Sequence, residues 1–352
     1  MPFIAAVSKI DLPDKVIQQE VKEQARAMFS VDFPQVDRLI QAFDNTGIVT
    51  RNFVKPLTYY AETTTFKQRN DEYIRLALLY SAEAANAAIA KAGIDKNGIT
   101  DILFVSTTGL ATPSMDALII NQLRLNPHIN RTPVWGLGCA GGVAGMAKAN
   151  TAAKANPDAV VLLVAVELCS LTLIKSDYSK SNFIGSSLFS DGIVACIVKG
   201  DNHALPAKQI TFEAASSKLY FDSLEVMGWQ FQEDGFKVVF SKDIPTFIHT
   251  NIKGDISEFL GRHGLALSDI KNFIFHPGGK KVLDAYVDAL QVDGDFLRNT
   301  REVMNDNGNM SSVTVLYVLE KFMANGYNDG YGLMLAMGPG FSSEMVLLKM
   351  KN

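Results

Sequence analysis

The stretch from Trp135 to Ala153, WGLGCAGGVAGMAKANTAA, decides how this chain is read. A short apolar run, Pro133 to Leu137, leads into Gly138-Cys139-Ala140-Gly141-Gly142, and good helix formers follow from Ala144 to Ala155. The pattern predicts strand, tight turn, helix, with Cys139 about where the helix begins. First-turn N–H groups of a helix lack internal partners and carry partial positive charge. A thiol there is expected to favour its thiolate, with a lowered pKa and nucleophilic character near neutral pH. Small neighbours leave room for a substrate to reach the sulfur. A buried structural cysteine is the ordinary alternative for this residue type, and the stretch alone leaves both open.

Outward from that stretch the chain repeats itself. A strand over Ile99 to Ser106 is apolar enough to be buried on both faces. Cys139 comes at a second strand-to-helix turn 33 residues on (106 to 139). In the second half, a strand from Asp269 to Phe275 runs up to His276 and a helix follows over Lys280 to Leu290. Asn309 then sits at a second such turn, again 33 residues on (276 to 309). Beyond each turn come a helix and an apolar strand, VVLLVAV in one half and YGLMLAM in the other. His276 therefore holds the place of Ser106, and Asn309 the place of Cys139. The reading is an α/β fold of two duplicated halves, residues 1–206 carrying the thiol and 207–352 carrying imidazole and carboxamide, with the break in GDNHALP, Gly200 to Pro206. Ligands in open α/β sheets bind outside the carboxyl ends of the strands. A pseudo-two-fold would bring the three side chains together there.

Other expected elements are helices over 14–30, 36–42, 70–92, 115–125, 244–262 and 310–324, and strands over 3–9, 48–53 and 160–167. A turn at Asp191-Gly192 is expected to lead into a strand ending near Lys199. Residues 212–240 read as strand-rich, and 331–337 and 343–349 as closing strands.

Composition narrows the class. The 352 residues are 47% hydrophobic and 20% charged, as in a globular protein with a sizeable core. A net charge of -4 and pI of about 5.8 argue against a nucleic-acid binder. Three cysteines, Cys139, Cys169 and Cys196, are too few and too oddly spaced for a disulfide framework or a zinc site. The N-terminus MPFIAAVSKIDLP lacks the basic region of a signal peptide. The longest apolar run, Ala159 to Ile174, is short for a membrane span and contains Glu167. A cytoplasmic protein is expected, with no membrane span.

Taken together, Cys139, His276 and Asn309 form a chemical set. A thiol beside an imidazole can form an activated thiolate–imidazolium pair. Gly278 and Gly279, after His276-Pro277, let a substrate pass close to the backbone. Asn309 offers two N–H donors without charge. With His276 it could hold a thioester carbonyl oxygen, and more tightly once that oxygen becomes an enolate. That would drive decarboxylation of a malonyl thioester, whose enolate carbon attacks an acyl group on Cys139. Singly, each residue has a plainer reading: a structural histidine at a strand end, an asparagine supplying a turn.

In these contexts the trio resembles the thiolase-fold condensing enzymes, specifically the type III polyketide synthases related to chalcone synthase. The resemblance is carried by WGLGCAGGVAGMAKA, VAVELCSLT, SSLFSDGIVACIV, FHPGGKKVLDAYVDAL, NDNGNMSSVTVL and AMGPGFSSEMVLL, and is weakest over residues 1–95. Ketoacyl-carrier-protein synthases III usually follow their histidine with Gln-Ala-Asn, absent here. The resemblance implies an αβαβα layered fold, a homodimer, and no cofactor beyond the CoA thioesters that are substrates. It implies that Cys139 carries the starter and growing chain, while His276 and Asn309 promote malonyl decarboxylation. It makes Phe189 a gatekeeper, Cys169, Thr172 and Gly185 cavity lining, and Gly338 part of a cavity-shaping Gly-Pro-Gly loop. A residue near Thr112 would reach the partner's cavity.

Departures from the plant pattern are Met337 before that loop, Val238 in place of a second gatekeeper phenylalanine, and Trp229 where plants have glycine. Arg38 matches one basic CoA-phosphate contact, while Gln41 and Asn45 replace two others. Lys280 or Lys281 could supply a phosphate partner. ELCSLT is closer to bacterial alkylpyrone and alkylresorcinol producers, which accept long fatty acyl-CoA starters. The expected activity is therefore loading of an acyl-CoA, extension with malonyl-CoA, and cyclisation to a pyrone or resorcinol. The rival enzyme readings are a ketoacyl synthase III or a hydroxymethylglutaryl-CoA synthase. The non-enzyme rival is a thiolase-fold protein kept for binding.

Overall fold

The structure, a computed structural model, describes every residue except 31, 32, 34, 63, 242 and 293. Its strands are β1 (Phe3–Lys9), β2 (Asp14–Ile17), β3 (Thr50–Phe53), β4 (Asp101–Ser106), β5 (Asn130–Trp135), β6 (Val160–Leu168), β7 (Asp191–Lys199), β8 (Gln209–Leu219), β9 (Met227–Gln232), β10 (Gly235–Phe240), β11 (Ile270–Phe275), β12 (Gly330–Gly338) and β13 (Ser342–Lys351). The helices are α1 (Gln18–Phe29), α2 (Val36–Ile40), α3 (Phe66–Lys91), α4 (Met115–Leu123), α5 (Gly141–Ala155), α6 (Lys180–Leu188), α7 (Ile244–Gly261), α8 (Lys280–Leu290), α9 (Arg298–Asn307) and α10 (Thr314–Asn325).

Nine strands form one mixed sheet in the order β11-β12-β13-β8-β1-β7-β6-β4-β5. Its two parts are built alike. In the first, β1 pairs antiparallel with β7, β7 antiparallel with β6, and β6 parallel with β4. In the second, β8 pairs antiparallel with β13, β13 antiparallel with β12, and β12 parallel with β11. The parts meet where β1 touches β8, at Phe3 and Thr211.

Alternation along the strands sorts side chains into layers. On β6, Val161, Leu163 and Ala165 face a core that also holds Val143, Met146 and Ala149 of α5 and Leu316, Val318 and Leu319 of α10. The intervening Val160, Leu162, Val164 and Val166 face a second core under α3 and α4. Leu333, Leu335 and Leu347 face a third, under α7 and α8. The result is the duplicated αβαβα layering, with α5 and α10 in the central layer. Each fully buried aliphatic side chain contributes roughly 1.5–3 kcal/mol, which explains why β6 is buried along its whole length.

Several local expectations change. Asp14 to Ile17 is not helix but strand, held by antiparallel pairing to β3. Helix α3 begins earlier than expected, at Phe66, because Thr65 and Gln68 form a reciprocal capping box. Asp191-Gly192 is not a turn but the start of β7. The Asp191 carboxylate accepts the backbone N–H groups of Val54 (2.9 Å) and Ser170 (2.8 Å), so its polarity is satisfied inside the sheet. Asn309 does not follow a strand: α9 precedes it, and among the described residues the second part of the sheet has no counterpart of β5. Helix α5 starts at Gly141, earlier than its alanines indicate. A Cβ on Gly142 would lie 2.1 Å from the Ser312 carbonyl oxygen, so glycine there permits close approach of α5 to the turn before α10. That packing offsets glycine's poor helix propensity of about 1 kcal/mol.

Candidate active site

Cys139 occupies a 3₁₀ turn, Gly138–Ala140, at the start of α5, and is buried. Its Sγ lies 3.7 Å from Ser311 Oγ. The Ser311 N–H donates to Asn309 Oδ1 (2.9 Å), and Asn309 Nδ2 donates to the Gly278 carbonyl (2.9 Å). His276 stands two residues before Gly278, and its own N–H donates to Leu335 O (2.8 Å), which carries the β11–β12 ladder one step further. One run of contacts therefore links the Cys139 turn, the Asn309 turn and the His276-Pro277-Gly278-Gly279 turn. The Gly338-Pro339-Gly340 loop closes against the same place. A Cβ on Gly338 would stand 2.3 Å from Leu137 O, so only glycine fits. Ser311 adopts a left-handed backbone (φ 50°), uncommon for a non-glycine residue, and strain of this kind persists only where surrounding contacts over-determine it.

The electrostatics correct one expectation. The Cys139 thiol is not depressed: burial, with help from the nearby Glu167 charge, pushes it up to about 12. His276 is buried too, and desolvation pulls it down to about 3. Both are neutral at pH 7, because loss of water outweighs the partial charge of the α5 N-terminus. Neither ring nitrogen of His276 has a hydrogen-bond partner among the described residues. Asn309 also differs from expectation: one of its two N–H donors is spent on Gly278 O, leaving one.

Glu167 was visible in the sequence only as a charge interrupting an apolar run. It is fully buried in this site. Its carboxyl accepts from Thr107 N (3.0 Å), Thr108 Oγ1 (2.9 Å) and Ser312 Oγ (2.6 Å), and burial raises its pKa to about 7. Between pH 4.5 and 7 the folded chain keeps a proton that the unfolded chain has lost. This contribution is fully present below 4.5 and is lost as pH rises through 7. Glu167→Gln should therefore lose less stability than wild type between pH 5 and 8, by on the order of 2–3 kcal/mol. Urea unfolding at both pH values measures this, and an equal loss in the two proteins would refute a buried, proton-holding Glu167.

A cavity of about 80 Å³ has Phe189 in its wall, the residue whose backbone pairs with Asn309, and none of Cys139, His276 and Asn309 lines it. Phe189, Cys169, Thr172, Gly185, Val238 and Trp229 all line it. The Phe189 backbone bridges Asn309: Asn309 N donates to Leu188 O (2.9 Å) and Ser190 N to Asn309 O (2.8 Å). Met337 does not line this cavity; it is buried in the core under α7 and α8. Arg38 is exposed on α2, away from the cavity wall. The sequence reading missed the α1 side of the wall, Val21, Ala25, Met28 and Phe29, whose spacing is also that of an ordinary amphipathic core helix. It also missed Ser311, whose only signal was its place two residues after Asn309. Among the described residues there is no cluster of three or more His, Cys, Asp or Glu able to hold a metal, and no helix long and apolar enough to cross a membrane.

Comparison with known proteins agrees with this site. The sequence model for the N-terminal domain of chalcone and stilbene synthases matches residues 47–202, and that for the C-terminal domain matches 211–351. A Bacillus subtilis (strain 168) protein named "Putative chalcone synthase" is 40% identical, covering 99% of this chain and 98% of that protein. A 1,3,6,8-tetrahydroxynaphthalene synthase of Streptomyces peucetius subsp. caesius is 36% identical over 90% of this chain and 85% of its own. The crystal structure of 1,3,6,8-tetrahydroxynaphthalene synthase from Streptomyces coelicolor A3(2), a bacterial type III polyketide synthase, superposes with a TM-score of 0.93 at 29% identity, covering 99% of both chains. With its thiol, imidazole and carboxamide turns gathered at the strand ends of a duplicated sheet, this chain belongs to the chalcone and stilbene synthase family, as an acyltransferase of the type III polyketide synthase kind.

Proposed function

We propose that the enzyme loads an acyl-CoA starter, fatty in character, on Cys139, extends it with malonyl-CoA, and cyclises the product to an alkylpyrone or alkylresorcinol. The observation that carries this is the run of contacts from Cys139 through Ser311 and Asn309 to the turn after His276. In loading, neutral His276 takes the Sγ proton as sulfur attacks the thioester carbonyl, and the CoA sulfur leaves with that proton. In extension, malonyl-CoA releases carbon dioxide. The electron pair moves to the thioester oxygen, which His276 and the free N–H of Asn309 hold. The enolate carbon then attacks the acyl group and frees the Cys139 thiolate. The apolar wall of the neighbouring cavity supports a fatty starter.

On this reading the first half is residues 1–206 and the second 207–352, and the protein is a cytoplasmic homodimer with a residue near Thr112 directed to its partner's cavity. The exposed outer edge of β5, with Trp135 and Phe231 stacked and exposed beside it, supports the dimer. Mass spectrometry of products from a series of acyl-CoA starters with malonyl-CoA tests the activity. Polyhydroxynaphthalene products without a fatty starter, as the names of two relatives would have it, would overturn the alkylpyrone assignment.

Two substitutions address the cavity. Trp229 is the largest side chain in its wall. Trp229→Gly should shift preference by about tenfold towards longer starters, the worth of about two methylenes of apolar contact at roughly 0.8 kcal/mol each. An unchanged chain-length profile would remove Trp229 from the specificity determinants. Phe189→Ala should alter starter preference more than stability. A collapse in melting temperature with unchanged selectivity would show Phe189 to be core.

A further inference from the structure

The wall of the cavity beside Phe189 has more hydrogen-bonding capacity than the protein uses. Arg51 reaches it from β3 and is only 1% exposed. Its Nη1 donates to Ser186 O and Phe189 O, both at 2.7 Å, at the C-terminal end of α6. Its guanidinium lies over the rings of Phe43 and Phe53, 5.7 and 5.2 Å from their centres. Among the described residues Nε and Nη2 have no partner, and neither does Oγ of Ser186 on the same wall. Buried N–H and O–H groups left unpaired cost free energy, and three on one wall call for a ligand that brings acceptors.

The chemistry of the wall narrows that ligand. The remaining lining near Arg51 is largely apolar, with Val21, Ala25, Met28, Phe29, Phe53 and Leu57, so a hydrocarbon chain can lie along it. Asp191 already acts on Arg51 as a counter-charge. A ligand carboxylate would add a second buried negative charge with no cation of its own. The favoured acceptor is therefore neutral, a ketone oxygen. A β-keto acyl chain carries such oxygens on alternate carbons, whereas an unextended alkyl starter has none.

We propose that Arg51 and Ser186 form a carbonyl-binding wall, donating Nε–H, Nη2–H and Oγ–H to the ketone oxygens of the chain as it is extended. This rests on the condensing reading above. The wall favours the extended chain over the starter, and so sets how many malonyl units are added before release. Because Arg51 also holds the Phe189 carbonyl, an occupied wall and the position of Phe189 are coupled.

The test uses the full chain with an acyl-CoA starter and malonyl-CoA. Mass spectrometry reads the acyl species on Cys139 and the ratio of products with two or three malonyl units to those with one. Ser186→Ala removes a hydroxyl that has no partner among the described residues, so its melting temperature should match or exceed that of wild type. Its product ratio should fall by about threefold, and that of Arg51→Gln by about tenfold, the loss of one neutral and of charge-assisted hydrogen bonds. Wild-type ratios in both folded variants overturn the proposal. So does a rise in the ratio, which would mark the wall as a seat for plain alkyl chain. If Arg51→Gln fails to fold, Ser186→Ala decides alone. A wild-type protein that neither takes up an acyl group nor releases carbon dioxide from malonyl-CoA removes the condensing reading itself. A wild type that extends normally beside unchanged variants removes only the wall.

Discussion

Cys139→Ala should show no acyl adduct by intact-protein mass after incubation with acyl-CoA, while wild type gains the mass of one acyl group. The variant is expected to fold, since deleting one buried sulfur removes about as much apolar contact as a methylene, roughly 0.8 kcal/mol. Retained loading would move the nucleophile elsewhere, and Cys169, which lines the neighbouring cavity, is the residue to examine next. The ionisation state sharpens this test. A thiol pushed up to about 12 leaves roughly one molecule in 10⁵ as thiolate at pH 7. Alkylation of Cys139 by iodoacetamide in the free enzyme should therefore be slow and rise about tenfold per pH unit between 7 and 9. A rate flat over that range would mean a preformed thiolate–imidazolium pair. Slow alkylation together with fast acyl loading would mean that sulfur loses its proton only as it attacks, with His276 as acceptor. Burial raises the Cys169 and Cys196 thiols as well, so slow labelling does not by itself separate Cys139 from them; the acyl adduct does.

How much of this was legible follows from which forces act locally. The strand-turn-helix at Cys139 and the turn that follows β11 at His276 are written in short-range signals, glycine at tight approaches, alanine in helices and apolar runs in buried strands, whereas the strand expected before Asn309 is the helix α9. Repetition made those signals readable together. The state of the thiol was not readable, because it depends on solvent exclusion by distant segments, here the 311–313 turn and the Gly338 loop closing over Cys139. Asp191-Gly192 misled for a similar reason. The pair has turn chemistry, yet partners more than a hundred residues away at Val54 let the aspartate sit inside a strand. Glu167 stood out as a charge in an apolar segment, but its three donors come from the loop after β4 and the turn before α10, which no local window contains. Arg51 gave no signal at all, because a single arginine in a short strand usually faces solvent.

Asn309→Asp should slow release of carbon dioxide from malonyl-CoA by about 10²–10³-fold, the usual consequence of removing one donor from a developing oxyanion. His276→Gln should slow acyl loading on Cys139 by about 10²–10⁴-fold, the usual consequence of removing a general base. The two fail for different reasons. Glutamine at 276 keeps an N–H for the enolate oxygen but cannot accept the Sγ proton, so loading should fall more than decarboxylation. Aspartate at 309 keeps the oxygen that receives the Ser311 N–H, and with it the turn. It loses the donor to Gly278 O and the free N–H, and it sets a carboxylate where the enolate charge appears. Loading on Cys139 should then survive in Asn309→Asp while decarboxylation does not. That split is what distinguishes an enolate-holding carboxamide from one that merely shapes the turn. If Asn309→Asp loses both steps together, with a lowered melting temperature, the amide is structural and the oxyanion donor must be sought elsewhere. If it loses neither, the enolate does not form at this turn. His276 supplies an independent check through folding. Its pKa, pulled down to about 3 by burial, means the native state excludes a proton that the unfolded chain binds below 6.5. Its stabilising contribution is present above 6.5 and lost as pH falls towards 3, so wild type should lose on the order of a few kcal/mol relative to His276→Gln across that window. Equal acid sensitivity of the two proteins would mean that His276 is protonated in the fold, and so unable to take the proton from Cys139.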